Sequence, residues 1–154
     1  MYRLRVLIIS LLVSFAVRPS LPSVAAEAKY EFTTNWVTGN SELWTEQLKH
    51  LKAQPNIQAL EIGSFEGRSA IWFLENILIH RTSSITCVDI FEEKTVYEAR
   101  YDHNIEASGF ANKVKKIKGS SQEVLRELEW NSYDFIYIDG SHVAKDVLVD
   151  AVLS

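Results

Sequence analysis

From residue 41 onward, short runs of apolar residues alternate with stretches in which apolar positions recur every three or four residues. In SELWTEQLKHLKAQ (41–54), Leu43, Trp44, Leu48 and Leu51 fall at helical intervals, and Ser41 stands where an N-cap would. IQALEI (57–62) is a continuous apolar run and reads as a strand. GRSAIWFLENILIH (67–80) returns to helical spacing through Ile71, Leu74, Ile77 and Leu78. SITCVDI (84–90) is a second strand, followed by a helix over roughly 95–107 that Ser108-Gly109 ends. KVKKIKG (113–119) is a third strand, SQEVLREL (121–128) a helix, YDFIYID (133–139) a fourth strand, and HVAKDVLVDAVLS opens another helix. Strands and helices in this order build right-handed crossovers: a three-layer α/β sandwich with a mainly parallel sheet. No internal repeat or low-complexity linker interrupts it, and residues 27–40 are the least patterned part.

The N-terminal segment, up to Ala26, follows another rule. MYRLR is basic, VLIISLLVSFAV carries no charge over its whole length, and RPSLPSVAAEA supplies small residues near a cut. That order matches a secretory signal. A spanning helix wants roughly 20 apolar residues, and Arg18, Pro19 and Pro22 interrupt this run early. Cleavage near Ala26 is the expectation, an uncleaved anchor the alternative. The expected organisation is thus a leader at 1–26, a lead helix within 27–56 and a nucleotide-type domain from 57 to 154. The product is expected to be secreted, periplasmic or lumenal with a working leader and cytoplasmic without one. Membrane contact is expected only through an uncleaved leader.

Charge narrows the partners. The chain has 16 basic and 20 acidic residues among 154. Loss of Arg3, Arg5 and Arg18 with the leader leaves 13 against 20, a net charge of −7, which disfavours nucleic acid and anionic lipid. KVKK at 113–116 is too short for a nucleic-acid footprint and reads as the solvated end of a strand. Cys87 is the sole cysteine, so no internal disulfide forms, and its apolar run predicts a buried thiol. Trp44 and Trp72 fit helix packing, and His50, His80 and His103 carry no assigned chemistry.

Ligands of such sheets bind beyond the carboxyl ends of the strands. Here those ends are polar: Glu61-Ile-Gly63, Asp89, Gly119-Ser120-Ser121 and Asp139-Gly-Ser-His142. The stretch ALEIGSFEGRS (59–69) lacks the lysine of an NTPase phosphate loop, since Arg68 takes its place, and Phe65 replaces the middle glycine of a dinucleotide turn. Glu61 and Glu66 would repel phosphates. Acidic groups beside glycines suit a cationic, hydroxyl-bearing ligand, and S-adenosylmethionine offers an ammonium, a sulfonium and a ribose diol without phosphate. Gly63 and Gly67 would let backbone approach it closely, or merely shape a tight turn. Asp89, closing the next strand after Gly63, stands where a carboxylate takes ribose hydroxyls, or starts a helix. Glu61 could instead favour a helix N-terminus.

Taken with DFIYIDGSH, these motifs make residues 57–154 resemble the front part of a class I S-adenosylmethionine-dependent methyltransferase. The resemblance implies a Rossmann-like fold in which Glu61, Gly63 and Gly67 form the first cofactor motif and Asp89 holds the ribose. It places Ser120, Ser121 and Gln122 near adenine and Asp139 near the methyl group and acceptor, with a divalent-metal role for Asp139 as in related oxygen methyltransferases. Asp139 and His142 become the candidate catalytic pair, His142 as a base toward a small-molecule acceptor oxygen or nitrogen.

The match stops at the helix after the fourth strand, where a complete domain has seven strands. The fourth strand is then expected to carry an open edge, with the chain either a fragment or paired with another copy. Two further readings stand beside the enzyme: a non-catalytic cofactor-binding or inactive fragment, and an exported interaction module without cofactor.

Overall fold

Parallel strands form where the apolar runs lie. The computed structural model describes residues 6–9, 29–92 and 95–154. Its strands are β1 (Val6–Ile9), β2 (Gln58–Ile62), β3 (Ser84–Asp89), β4 (Val114–Lys118) and β5 (Phe135–Ile138). They form one sheet in the order β1-β5-β2-β3-β4, every neighbouring pair parallel. The helices are α1 (Ser41–Leu48), α2 (Arg68–Asn76), α3 (Tyr97–Ser108), α4 (Ser121–Glu127) and α5 (Ala144–Leu153).

Strand side chains alternate between two cores, giving the expected three layers. On one face Ala59, Ile85, Cys87, Phe135 and Tyr137 pack with Trp44 and Leu48 of α1, Phe73 and Leu74 of α2, and Tyr101 and Ile105 of α3. On the other, Leu60, Ile62, Val88, Ile136 and Ile138 meet Leu125, with Val124, Ala151 and Leu153 against them. Trp44 stacks on Trp72, Phe73 and Tyr137 at ring separations of 5.0–5.2 Å, confirming its packing role. Strand β4 closes one edge, and its lysines are not idle: Lys116 pairs with Glu98 and Asp102 of α3, and Lys118 with Glu98. Charged side chains on an edge strand discourage pairing with another chain.

Two expectations change at the other edge and in α1. The edge of β5 is not open, because Val6–Ile9 lies parallel along it in register with Phe135–Ile138. Part of the apolar run read as a leader is therefore a strand; residues 10–28, with the expected cleavage point, lie outside the described residues. In α1 the cap position belongs to Asn40, without a side-chain cap bond. Ser41 is instead the first helical residue, and its hydroxyl donates to the Thr38 carbonyl at 3.2 Å. The helix ends at Leu48 rather than at 54, since Ala53, at φ 60°, donates its N–H to the Ile77 carbonyl at the end of α2. A tertiary bond wins over local periodicity there. Gly109 ends α3 in the left-handed conformation, as expected. Among the described residues no helix is long and apolar enough to cross a membrane.

Candidate functional site

The strand ends meet edge to edge. Gly63 donates its N–H to the Val88 carbonyl at 2.8 Å, Asp139 to Ile62 at 2.8 Å, and Gly119 to Asp89 at 2.9 Å. Gly63 has φ +87°, and a Cβ on it would fall on the Asp139 carbonyl and the Gly140 Cα. The close approach that demands glycine here is thus made by the chain's own β5 turn. Gly67 caps α2 at φ +82°, with the Tyr101 ring 3.1 Å from where a Cβ would stand. Between them Phe65 holds φ +47°. That left-handed conformation costs a non-glycine residue about 1–2 kcal/mol.

Asp89 explains how that loop is held. Its Oδ2 accepts the N–H groups of Ser64 and Phe65, each at 2.8 Å, and its Oδ1 accepts that of Phe91 at 2.7 Å. Three of its roughly four acceptor positions are therefore used by backbone, so the carboxylate expected to take a ribose first pins the glycine loop.

Glu61 is fully buried, between Cys87 on β3 and Tyr137 on β5 in register. The Ser69 hydroxyl donates to its Oε1 at 2.6 Å, while Oε2 has no partner at hydrogen-bonding geometry. Burial pushes its carboxyl up to about 7; the Ser69, Ser64 and Cys87 side chains around it oppose this, and the nearby Asp139 charge adds to it. Burial likewise drives the Cys87 thiol well above its ordinary range, helped by the Glu61 charge. A buried carboxylate oxygen left without a well-placed donor is the feature that asks for a cationic partner.

A cleft opens beside these groups, lined by the loop from Gly63 to Glu66, by Arg68 and Ser69, by Tyr137 and Asp139, and by Thr34, Trp36 and Val37. Asp139 is half-buried and accepts the Tyr137 hydroxyl on Oδ2 at 2.9 Å. His142 is exposed in the turn before α5. Ser121, expected near adenine, gives its hydroxyl to Asp150 of α5 at 2.7 Å. Ser120 and Gln122 flank it at the start of α4, both half-buried. The metal role assigned to Asp139 finds no ligand set: among the described residues no three His, Cys, Asp or Glu side chains converge.

Residues 60–154 match a family model described as "Methyltransferase domain". The chain belongs to that family. It is a class I S-adenosylmethionine-dependent methyltransferase relative, and solved structures bear out the fold. A cofactor-bound protein from MTB, Rv0187, superposes with a TM-score of 0.59 at 17% identity over 84% of this chain and 57% of that one. The SAH-bound Podospora anserina methyltransferase PaMTH1 gives 0.55 at 22% identity over 84% and 52%. The C-terminal domain of precorrin-6Y C5,15-methyltransferase from Rhodobacter capsulatus gives 0.50 at 15% over 78% and 59%. The chain thus spans little more than half the length of these relatives. No curated protein matches it in sequence.

Three groups of this methyltransferase-family site escaped the sequence pattern. Thr34, Trp36 and Val37 come from the unpatterned stretch before α1, and Tyr137 was legible only as a strand residue. Glu66, noted above for its charge alone, is 2% exposed and bonded on several sides. The aromatic residues Tyr30, Phe32 and Trp36, in a stretch without helical or strand periodicity, were the signal available.

Proposed function

We propose that this chain is the front part of an S-adenosylmethionine-dependent methyltransferase acting on a small-molecule acceptor at oxygen or nitrogen. The observation that carries the reading is Glu61: a fully buried carboxylate with a spare acceptor oxygen, at a strand end and bonded to Ser69 of the cleft wall. With its carboxyl pushed up to about 7, Glu61 is ionised only in part near neutrality, and a cation such as the aminoacyl end of this cofactor would hold it in the charged form. The donor set fits the group in other ways too. Asp139 in the cleft and Glu61 and Asp89 at the neighbouring strand ends are acidic, while Phe65 and Trp36 in the cleft are aromatic. That mixture suits a cationic sulfonium beside ring faces better than it suits a phosphate.

When bound, the cofactor supplies an electrophilic methyl group on sulfur. The chain's part is binding, orientation and exclusion of water. Asp89 keeps the glycine loop in its strained shape before any ligand arrives, so little ordering remains to be done on binding. Asp139, fixed by the Tyr137 hydroxyl, faces the same cleft and orients an acceptor hydroxyl or amine. His142, exposed in the turn that follows Asp139 and outside the cleft lining, is assigned the role of taking the acceptor proton to solvent.

Calorimetric titration with S-adenosylhomocysteine tests the cofactor half of the proposal, and transfer of labelled methyl to a panel of small phenols and amines tests the other. Micromolar binding with transfer is the expected result. Binding without transfer would favour a non-catalytic domain, and a folded sample that binds nothing would favour an interaction module. Full turnover in His142→Gln would remove His142 as the base.

A further inference from the structure

Residues 30–37 carry no helix or strand, yet they are tied down more firmly than most loops. The tie converges on one buried side chain. Glu66 Oε2 accepts the Thr33 N–H at 2.6 Å, and Oε1 accepts both the Thr33 hydroxyl at 2.9 Å and the Arg100 guanidinium at 3.0 Å. Behind it, Asn104 of α3 donates to the Glu66 carbonyl at 2.9 Å while accepting the Glu31 N–H at 2.7 Å. The Phe32 ring lies under the Arg68 guanidinium at 4.4 Å, and Trp36 stacks on Phe65 at 5.8 Å.

We infer that Glu66 is a positioning residue that latches residues 30–37 across the glycine loop and thereby fixes one wall of the ligand cleft. The physical reason is that the segment's apolar contacts are partial. Tyr30, Phe32 and Val37 pack half-buried against the core and Trp36 remains 48% exposed, so the bonds to Glu66 add to a modest apolar hold. Charge-assisted bonds to a carboxylate shielded from water are stronger than neutral ones, and Glu66 makes them to the segment and to Arg100 together. Thr34, Trp36 and Val37, carried on the same segment, line the cleft together with Gly63, Phe65 and Asp139. If the latch opens, the loop and strand ends stay in place but the opposite wall departs. Affinity then falls in proportion to the fraction of molecules still latched.

The proposal rests on the cofactor reading above for its ligand but not for its conformational part. Hydrogen exchange over residues 30–37 and calorimetric titration with S-adenosylhomocysteine are measured in the wild-type chain, Glu66→Gln and Thr33→Val. In Glu66→Gln, exchange across 30–37 is expected to rise selectively, and the dissociation constant to rise about tenfold, the equivalent of one lost charge-assisted bond. Thr33→Val, which removes one of the two Thr33 contacts without touching the glycine loop, is expected to fall between, and it decides the matter if Glu66→Gln does not fold. A lowered melting temperature with unchanged exchange at 30–37, or faster exchange with unchanged affinity, overturns the proposal. If the wild type binds no S-adenosylhomocysteine, the cofactor reading fails, and the exchange data still decide whether Glu66 is the latch.

Discussion

Glu61→Gln isolates the most unusual group in the fold. An ordinary glutamate ionises near 4.5 and Glu61 at about 7, chiefly because burial disfavours its charge. Between those values the folded chain holds a proton that the unfolded chain has released, so stability falls as pH rises through the window and is level on either side. At about 1.4 kcal/mol per pH unit the gap amounts to about 3 kcal/mol lost by pH 8 relative to pH 4. Glutamine keeps an oxygen for the Ser69 hydroxyl and cannot ionise. The variant should therefore match the wild type at low pH and exceed it by about 3 kcal/mol at pH 8. Urea unfolding of both proteins at half-unit steps from pH 4 to 8 reads the difference, in which titrations common to the two cancel. A difference that stays flat across that range would refute the reasoning. The same variant should also weaken S-adenosylhomocysteine binding, since the gain in stability comes from removing the charge proposed to meet the ligand's ammonium.

Gly63→Ala should be the more damaging change. Its methyl would drive into the β5 turn, and its φ of +87° lies where L side chains are strained. Overpacking and backbone strain together predict a loss above about 2 kcal/mol in thermal unfolding, with ligand binding lost as well. Retained stability would mean that the strand ends move apart more easily than their hydrogen bonds imply. Cys87 is fully buried and its thiol is raised well above the usual range, so Ellman's reagent at pH 8 should find no reactive thiol in the native protein and one equivalent in urea. Prompt native labelling would show that the core beneath the glycine loop opens readily.

Chain periodicity was enough for every strand between 57 and 139 and for the five α-helices among the described residues, with ends shifted by up to six residues, the most at the end of α1. That follows because the runs of β2, β3 and β5 are apolar and buried on both faces, β4 is a half-exposed edge, and each helical stripe faces one layer of the sheet. The acids were legible as well, since Glu61, Asp89 and Asp139 close three neighbouring parallel strands and parallel pairing gathers them on one edge. Their divisions of labour were not. Nothing in DGSH or ITCVDI says that Asp89 spends its oxygens on the backbone of residues 64 and 65, or that Ser121 turns to Asp150; those depend on distances across elements.

What the amino-acid order determined by itself was the local choice of strand, helix and left-handed turn, because those energies are set within a few residues. Three outcomes belong to the tertiary structure alone. Val6–Ile9 pairs with β5 although a contiguous apolar run near a basic N-terminus reads as a leader, because an unpaired strand edge offers hydrogen bonds that any nearby extended segment can take. Gly63 is required by a neighbouring turn. Residues 30–37, without pattern of their own, become a wall of the cleft because Glu66, far along the chain, is buried beside them.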